Sequence, residues 1–223
     1  NTLKLEFFDE YYGLKYTLSY QIYTDSDIFK KSIIVENKSE NDIVFERLMS
    51  GEFTLAGSKE YSFINTNGAW GGEWVQSEQK LSAGTLVFES RKGISGHNNS
   101  PYFIAHQNAN EKSGDVYFAN LAYSGNFKVS ANRDLYSVTR VIIGMNDFDF
   151  TYTLKAGESF ETPAVFAGNT QGFGEMSRQM NKLCVNYLMP KQFNDKPLPI
   201  LYNSWEATEF NVSADEQLKL AKI

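Results

Sequence analysis

The chain reads as mainly β: an antiparallel sandwich or barrel, then a connector helix and the opening of a parallel α/β domain. Three observations carry that reading. Period-two alternation of apolar and polar residues dominates the first two thirds of the 223 residues. Turn signals interrupt it at short intervals. From about residue 171 the apolar period turns helical, and a proline-rich stretch, a short apolar run and a capped helix follow.

The elements follow in order. Leu14, Tyr16, Leu18, Tyr20 and Ile22 alternate with Lys15, Thr17, Ser19 and Gln21, which predicts an antiparallel strand with one wet face. Phe148, Phe150, Tyr152 and Leu154 alternate with Asp149, Thr151 and Thr153 and predict a second. Shorter runs predict strands over 3–8, 29–36, 43–48, 52–56, 61–64, 85–89, 101–106, 115–122, 127–131, 137–143 and 160–167. Tyr12-Gly13, Ala83-Gly84, Ser113-Gly114, Ser124-Gly125-Asn126 and Ala156-Gly157-Glu158 are among the turns between them.

Phe173, Met176, Met180, Leu183, Cys184, Tyr187 and Leu188 recur at helical spacing, and Pro190 ends that helix. The segment 190–199 reads as a linker. Ile200, Leu201 and Tyr202 predict a short strand, and residues 203–208 a loop. Ser213-Ala214-Asp215-Glu216 is a capping box for a final helix. A strand, an excursion and a helix that then stops predict a parallel α/β domain cut short. Asn1 already lies in a strand-like pattern, so the native N-terminus is expected upstream. The expected organisation is 1–170 for the β domain, 171–198 for the connector and 199–223 for the truncated unit.

Composition narrows the function. Acidic residues number 27 against 21 basic, a formal charge of −6. Phosphate contacts need clustered Lys and Arg, so nucleic acid is not an expected partner. No stretch approaches the ~20 apolar residues of a membrane span, so no membrane partner is expected. Cys184 is the single cysteine, which forbids an intrachain disulfide and leaves no CxxC motif. It fits a reducing compartment, and a cytoplasmic location is expected. No cofactor is expected. Gly71-Gly72 lacks the lysine and following helix of a phosphate-binding loop.

Few residues stand out as carriers of chemistry. His106 ends a predicted strand and reads as structural, while His97 lies in a polar loop and is open to either role. Neither has a partner at metal-ligand spacing, so no metal is expected. Glycoside hydrolysis needs two carboxylates facing one bond. Glu206 and Glu209 follow the predicted parallel strand, where a barrel would place its active site; the competing reading is that they orient loop backbone. Trp70 sits between Gly68 and Gly71, in a stretch expected to be a loop. Trp205 follows the 200–202 strand. Either ring could stack on a sugar or serve as core.

The motifs then converge. Pro199-Ile200-Leu201-Tyr202-Asn203-Ser204-Trp205-Glu206-Ala207-Thr208-Glu209-Phe210 resembles the barrel opening of glycoside hydrolase family 36 α-galactosidases. Gly68-Ala69-Trp70, Arg91-Lys92-Gly93-Ile94-Ser95-Gly96-His97, Pro101-Tyr102-Phe103 and Tyr123-Ser124-Gly125-Asn126-Phe127 resemble further family motifs, in family order. The resemblance covers essentially the whole chain. It implies an antiparallel β-supersandwich lacking its front portion, a connector helix, and the first β–loop–α unit of a (β/α)8 barrel.

The implied reaction is retaining hydrolysis of terminal α-galactosides of the melibiose and raffinose type. Two aspartates on later barrel strands would carry it, so no catalytic residue is expected within 1–223, and the chain alone is expected to be inactive. By resemblance Trp70 and Trp205 would bind substrate in the galactose pocket. The family also implies a homo-oligomer, a homotetramer. Two stretches depart from the pattern: Gly71-Gly72-Glu73-Trp74 replaces a more basic run, and Ser95-Gly96-His97-Asn98-Asn99 lacks a second histidine. A competing class is a non-catalytic carbohydrate-binding or oligomerisation sandwich, which would give no reason for residues 199–223.

Overall fold

The structure is a computed structural model describing residues 1–57, 59–194 and 196–222. Ile223, the end of the expected barrel unit, and Asp195, inside the expected connector, lie outside the described residues. The strands are β1 (Thr2–Asp9), β2 (Leu14–Tyr23), β3 (Ile28–Asn37), β4 (Ile43–Phe45), β5 (Met49–Leu55), β6 (Tyr61–Ala69), β7 (Gly72–Leu81) and β8 (Gly84–Glu89). They continue as β9 (Tyr102–His106), β10 (Asp115–Leu121), β11 (Phe127–Arg133), β12 (Thr139–Met145), β13 (Tyr152–Leu154), β14 (Ser159–Glu161) and β15 (Val165–Gln171).

A nine-stranded sheet runs β1-β2-β3-β15-β10-β9-β6-β7, with β14 also on β3. Four strands, β5-β12-β11-β8, form the second layer, and β4 pairs β13 in a small ribbon. The expected antiparallel sandwich is therefore present. β14 and β15 take successive stretches of one edge of β3, at Ile34–Glu36 and Phe29–Lys31. Pro163 stands between them, and having no N–H it cannot continue a ladder. That splits the single strand expected over 160–167.

The alternation read in the sequence becomes the core. Phe63 and Phe103 of the large sheet meet Phe88, Phe127, Val129, Val141 and Ile143 of the small one, all buried. On the other face of the large sheet, α1 (Phe173–Leu183) lays Met176, Met180 and Leu183 against Ile28, Phe118 and Phe166. A π-helical turn, Cys184–Leu188, extends α1 as far as Met189, which is extended ahead of Pro190. Tyr187 Oη and Asn186 Nδ2 donate to the Asp25 carboxylate at 2.8 and 3.0 Å and fasten that turn to the β2–β3 connection.

Other expectations are corrected. The strand expected over 148–154 survives only as β13; Asp149 sits at φ 51, a left-handed turn of the chain just ahead of it. Residues 72–81 form β7, which no alternation announced: nearly the whole strand is exposed, so no apolar face marks it. The expected linker holds a helical turn, α2 (Lys191–Asn194). Ile200–Tyr202 forms no strand. A parallel strand draws its bonds from neighbours, and none is available to it among the described residues. Residues 205–208, expected as loop, form the one-turn helix α3 (Trp205–Thr208), and α4 (Ala214–Leu220) follows. The Ser213 hydroxyl accepts the Glu216 N–H at 3.4 Å, as the capping box requires.

Candidate functional site

Strands β6 and β7 form a hairpin whose tip carries Trp70. Pairing runs from Tyr61–Leu81 to Asn67–Val75 and resumes at Ala69–Gly72 after a bulge. Gly68 permits that bulge: a Cβ there would lie 2.2 Å from the Gly72 carbonyl oxygen. Gly71 turns the chain at φ 77. Trp70 is 92% exposed, so its ring stands clear of the protein, and Trp74 is exposed beside it. Large exposed aromatics at a hairpin tip have little structural use and much use in contact.

A second segment comes up beside the tip. Residues 90–100 connect β8 to β9, and buried amides pin both ends. Asn146 Nδ2 donates to Ser90 O at 3.0 Å, to Glu89 Oε2 at 3.0 Å and to Phe127 O at 3.2 Å. At the far end Asn65 Nδ2 donates to Ser100 O at 2.9 Å and Tyr102 O at 2.6 Å, and its Oδ1 accepts the Ser100 N–H at 3.2 Å. Between these anchors Gly93 N donates to Asn126 Oδ1 at 2.6 Å and Lys92 Nζ to Asn98 Oδ1 at 2.5 Å.

The clamped segment brings His97 to the hairpin. Glu73 accepts the Gly71 N–H at 2.9 Å. That bond, Glu73's own backbone amide and the charge of His97 hold the Glu73 carboxyl below the usual carboxylate range. Trp70, Glu73 and His97 thus share one exposed corner: an aromatic face, an anionic acceptor and an imidazole. Such a set can hold a polyhydroxylated ligand. Glu73 escaped notice as a candidate because no spacing rule links it to His97; the hairpin makes them neighbours. His106 is elsewhere and structural as expected, buried with Nδ1 accepting from Ala109 N at 3.2 Å and Nε2 3.3 Å from Glu78.

Trp205 lies apart from this corner in sequence and opens α3. Its backbone N–H donates to Asn203 Oδ1 at 3.0 Å, and its ring meets Phe210 edge-on at 4.8 Å. No ring contact joins Trp70 to Trp205 among the described residues. Glu206 and Glu209 form no ion pair with a described cation, and Glu209 closes α3 at φ 47. Among the described residues no helix is long and apolar enough to cross a membrane.

Comparison with known proteins covers the whole chain. The profile of the "Glycosyl hydrolase family 36 N-terminal domain" matches residues 1–155, and that of "Melibiase" matches 159–223. Alpha-galactosidase AgaA of Geobacillus stearothermophilus is 36% identical over 99% of this chain, which spans 30% of that protein. Alpha-galactosidase Mel36A of Lactobacillus acidophilus is 32% identical over 96% of this chain, again 30% of that protein. The crystal structure of AgaA in complex with stachyose superposes on 99% of this chain with a TM-score of 0.92 and 34% identity, and 31% of it is covered. The α-galactosidase from Lactobacillus brevis gives 0.92 at 29% identity, with 99% and 30% covered. The chain spans about 30% of the length of the curated relatives it matches.

Proposed function

The chain belongs to glycosyl hydrolase family 36, and on that premise we propose that it is part of a retaining α-galactosidase acting on terminal α-D-galactosides of the melibiose and raffinose type. The observation that carries this is the end-to-end match to two α-galactosidases over only 30% of their length. Retention by double displacement uses a nucleophilic carboxylate and an acid/base carboxylate about 5 Å apart. In this reading both lie in the part of the enzyme outside residues 1–223. Residues 1–170 are then the sandwich, 171–198 the connector, and 199–223 the opening of the barrel.

In this reading Trp70 and Trp205 supply two walls of the galactose pocket. Exposed Trp70 supports the first assignment, and the Asn-Ser-Trp-Glu-Ala-Thr run supports the second. The polar, wet corner at the hairpin tip suits a neighbouring subunit as readily as a sugar, in keeping with a homotetramer. The location we assign is the cytoplasm, in keeping with the exposed free thiol of Cys184.

Two measurements test the proposal. The gene sequence after Ile223 is expected to encode an Asp-Asp-Gly-Trp-like motif and later a Lys-Trp-Asp-like strand; their absence would overturn it. The chain of residues 1–223, incubated with an aryl α-galactoside, is expected to release no phenol. Turnover by the pure chain would refute the placement of the catalytic carboxylates.

A further inference from the structure

The inner face of β3 carries a charge where a sandwich needs apolar surface. Lys31 stands there between Phe29, which packs on the main core, and Ile33, which packs on the smaller core under the β4–β13 ribbon. It is 8% exposed. Its stem passes Gly51, where a Cβ would lie 3.6 Å from Lys31 Cδ. Its Nζ donates to the Glu52 carbonyl at 3.4 Å and stands 5.4 Å from the ring centroids of both Tyr20 and Phe53.

That environment leaves the ammonium short of partners. It has three N–H donors, and the Glu52 carbonyl is its one hydrogen-bond acceptor among the described residues. No carboxylate there is paired with it; the Glu52 side chain is exposed, on the face of β5 opposite Gly51 and Phe53. Burying a charge without a counter-charge is costly, and two ring faces recover only part of the lost hydration.

Beside it opens a cavity of about 380 Å³ between the two sheets, at the edge strand β5. Tyr20, Phe29, Glu52, Phe53, Thr54, Tyr117 and Asn169 line it, and Lys31 is the only cation among its described lining residues. Asn169 Nδ2 is already committed to Val116 O at 3.2 Å. A second cavity of about 340 Å³ shares Lys31 and adds Arg47, whose Nε is 3.7 Å from Asp147.

We propose that the inter-sheet cavity binds a small organic carboxylate with an aromatic or alkyl body. The carboxylate accepts from the Lys31 ammonium and supplies the missing counter-charge. The body packs on Tyr20, Phe29, Phe53 and Tyr117. A neutral sugar fits less well, because it brings no counter-charge to Lys31. The site is separate from the hairpin-tip corner and does not depend on the galactoside reading.

Calorimetric titration of the chain with 3-phenylpropionate at neutral pH tests this, beside 3-phenylpropan-1-ol, 3-phenylpropylamine and galactose. Saturable binding of the carboxylate is expected, with the alcohol weaker by roughly tenfold or more, the size of one charge-assisted hydrogen bond, and the amine and galactose silent. Lys31→Met, which keeps the stem, is expected to reduce carboxylate affinity to that of the alcohol, and Lys31→Arg to retain binding. No saturable binding by the unaltered chain overturns the proposal, as does equal affinity for acid and alcohol, or tighter binding of galactose. Should Lys31→Met fail to fold, the acid–alcohol comparison on the unaltered chain decides alone.

Discussion

Single buried polar residues do much of the positioning. Asn146 is 3% exposed, and its amide nitrogen serves three acceptors from two segments of chain. Asn146→Ala would leave Ser90 O and Phe127 O without that donor, a loss of about 2–3 kcal/mol, read as a lower urea midpoint. An unchanged midpoint would show that water replaces the amide. Tyr61 makes a second case. Burial, with the neighbouring Tyr117, pushes its phenol up to about 12 from an ordinary value of 10.0. Below the unfolded value both states hold the proton and the contribution is complete. As pH climbs from there towards the folded value, the unfolded state ionises first and stability is lost. The melting temperature is expected to fall across that window, and Tyr61→Phe, which also forfeits the bond to Ala56 O, to flatten the fall. For Trp205, half-exposed against Phe210, replacement by Ala in the enzyme that contains this chain is expected to lower kcat/KM by the equivalent of ~1–3 kcal/mol. Unchanged kinetics would remove it from the pocket.

At the scale of elements, the β6–β7 hairpin separates stability from contact. Its root lies in the core through Tyr61, Phe63 and Leu81, and its tip lies in solvent. Trp70→Ala is therefore expected to shift stability by no more than about 0.5 kcal/mol, while Phe63→Ala at the root costs about 3–5 kcal/mol; denaturant unfolding reads both. Gly68→Ala is expected to disturb the tip, since the added methyl meets the Gly72 carbonyl. Altered amide shifts confined to residues 66–76 would be its signature, and an unchanged spectrum would contradict the bulge geometry. Helix α1 behaves differently: Gly172 at φ 79 admits the turn from β15, and the helix then seals the outer face of the large sheet.

For the whole molecule, two sheets enclose one main core, with smaller cores under the β4–β13 ribbon and under α1. Among the described residues none beyond Leu183 belongs to these clusters. Leu198, Ile200 and Leu201 are 86%, 101% and 90% exposed. Limited proteolysis by proteinase K is expected to cut first within 196–204 and to leave the melting transition of the remaining body unchanged. First cuts inside β9 or β12 would contradict this division of the chain.

The sequence by itself determined the antiparallel sandwich, the connector helix and the family, because alternation, turn residues and long motifs are local signals. Leu14 to Ile22 announces β2 since one of its faces is buried; β7, exposed along nearly its whole length, announces nothing and exists only because β6 bonds to it. Ile200–Tyr202 shows the converse: an apolar run predicts a strand, but a parallel strand without neighbours has no hydrogen-bond partners to make it one. Trp70 was legible as a loop aromatic from its flanking glycines. Its meeting with Glu73 and His97, the clamping of the 90–100 segment and the placing of Lys31 against an inter-sheet cavity were decided by the tertiary structure alone. Each depends on register between strands distant in sequence, and register is set by which faces the sheets bury against each other, not by any local pattern.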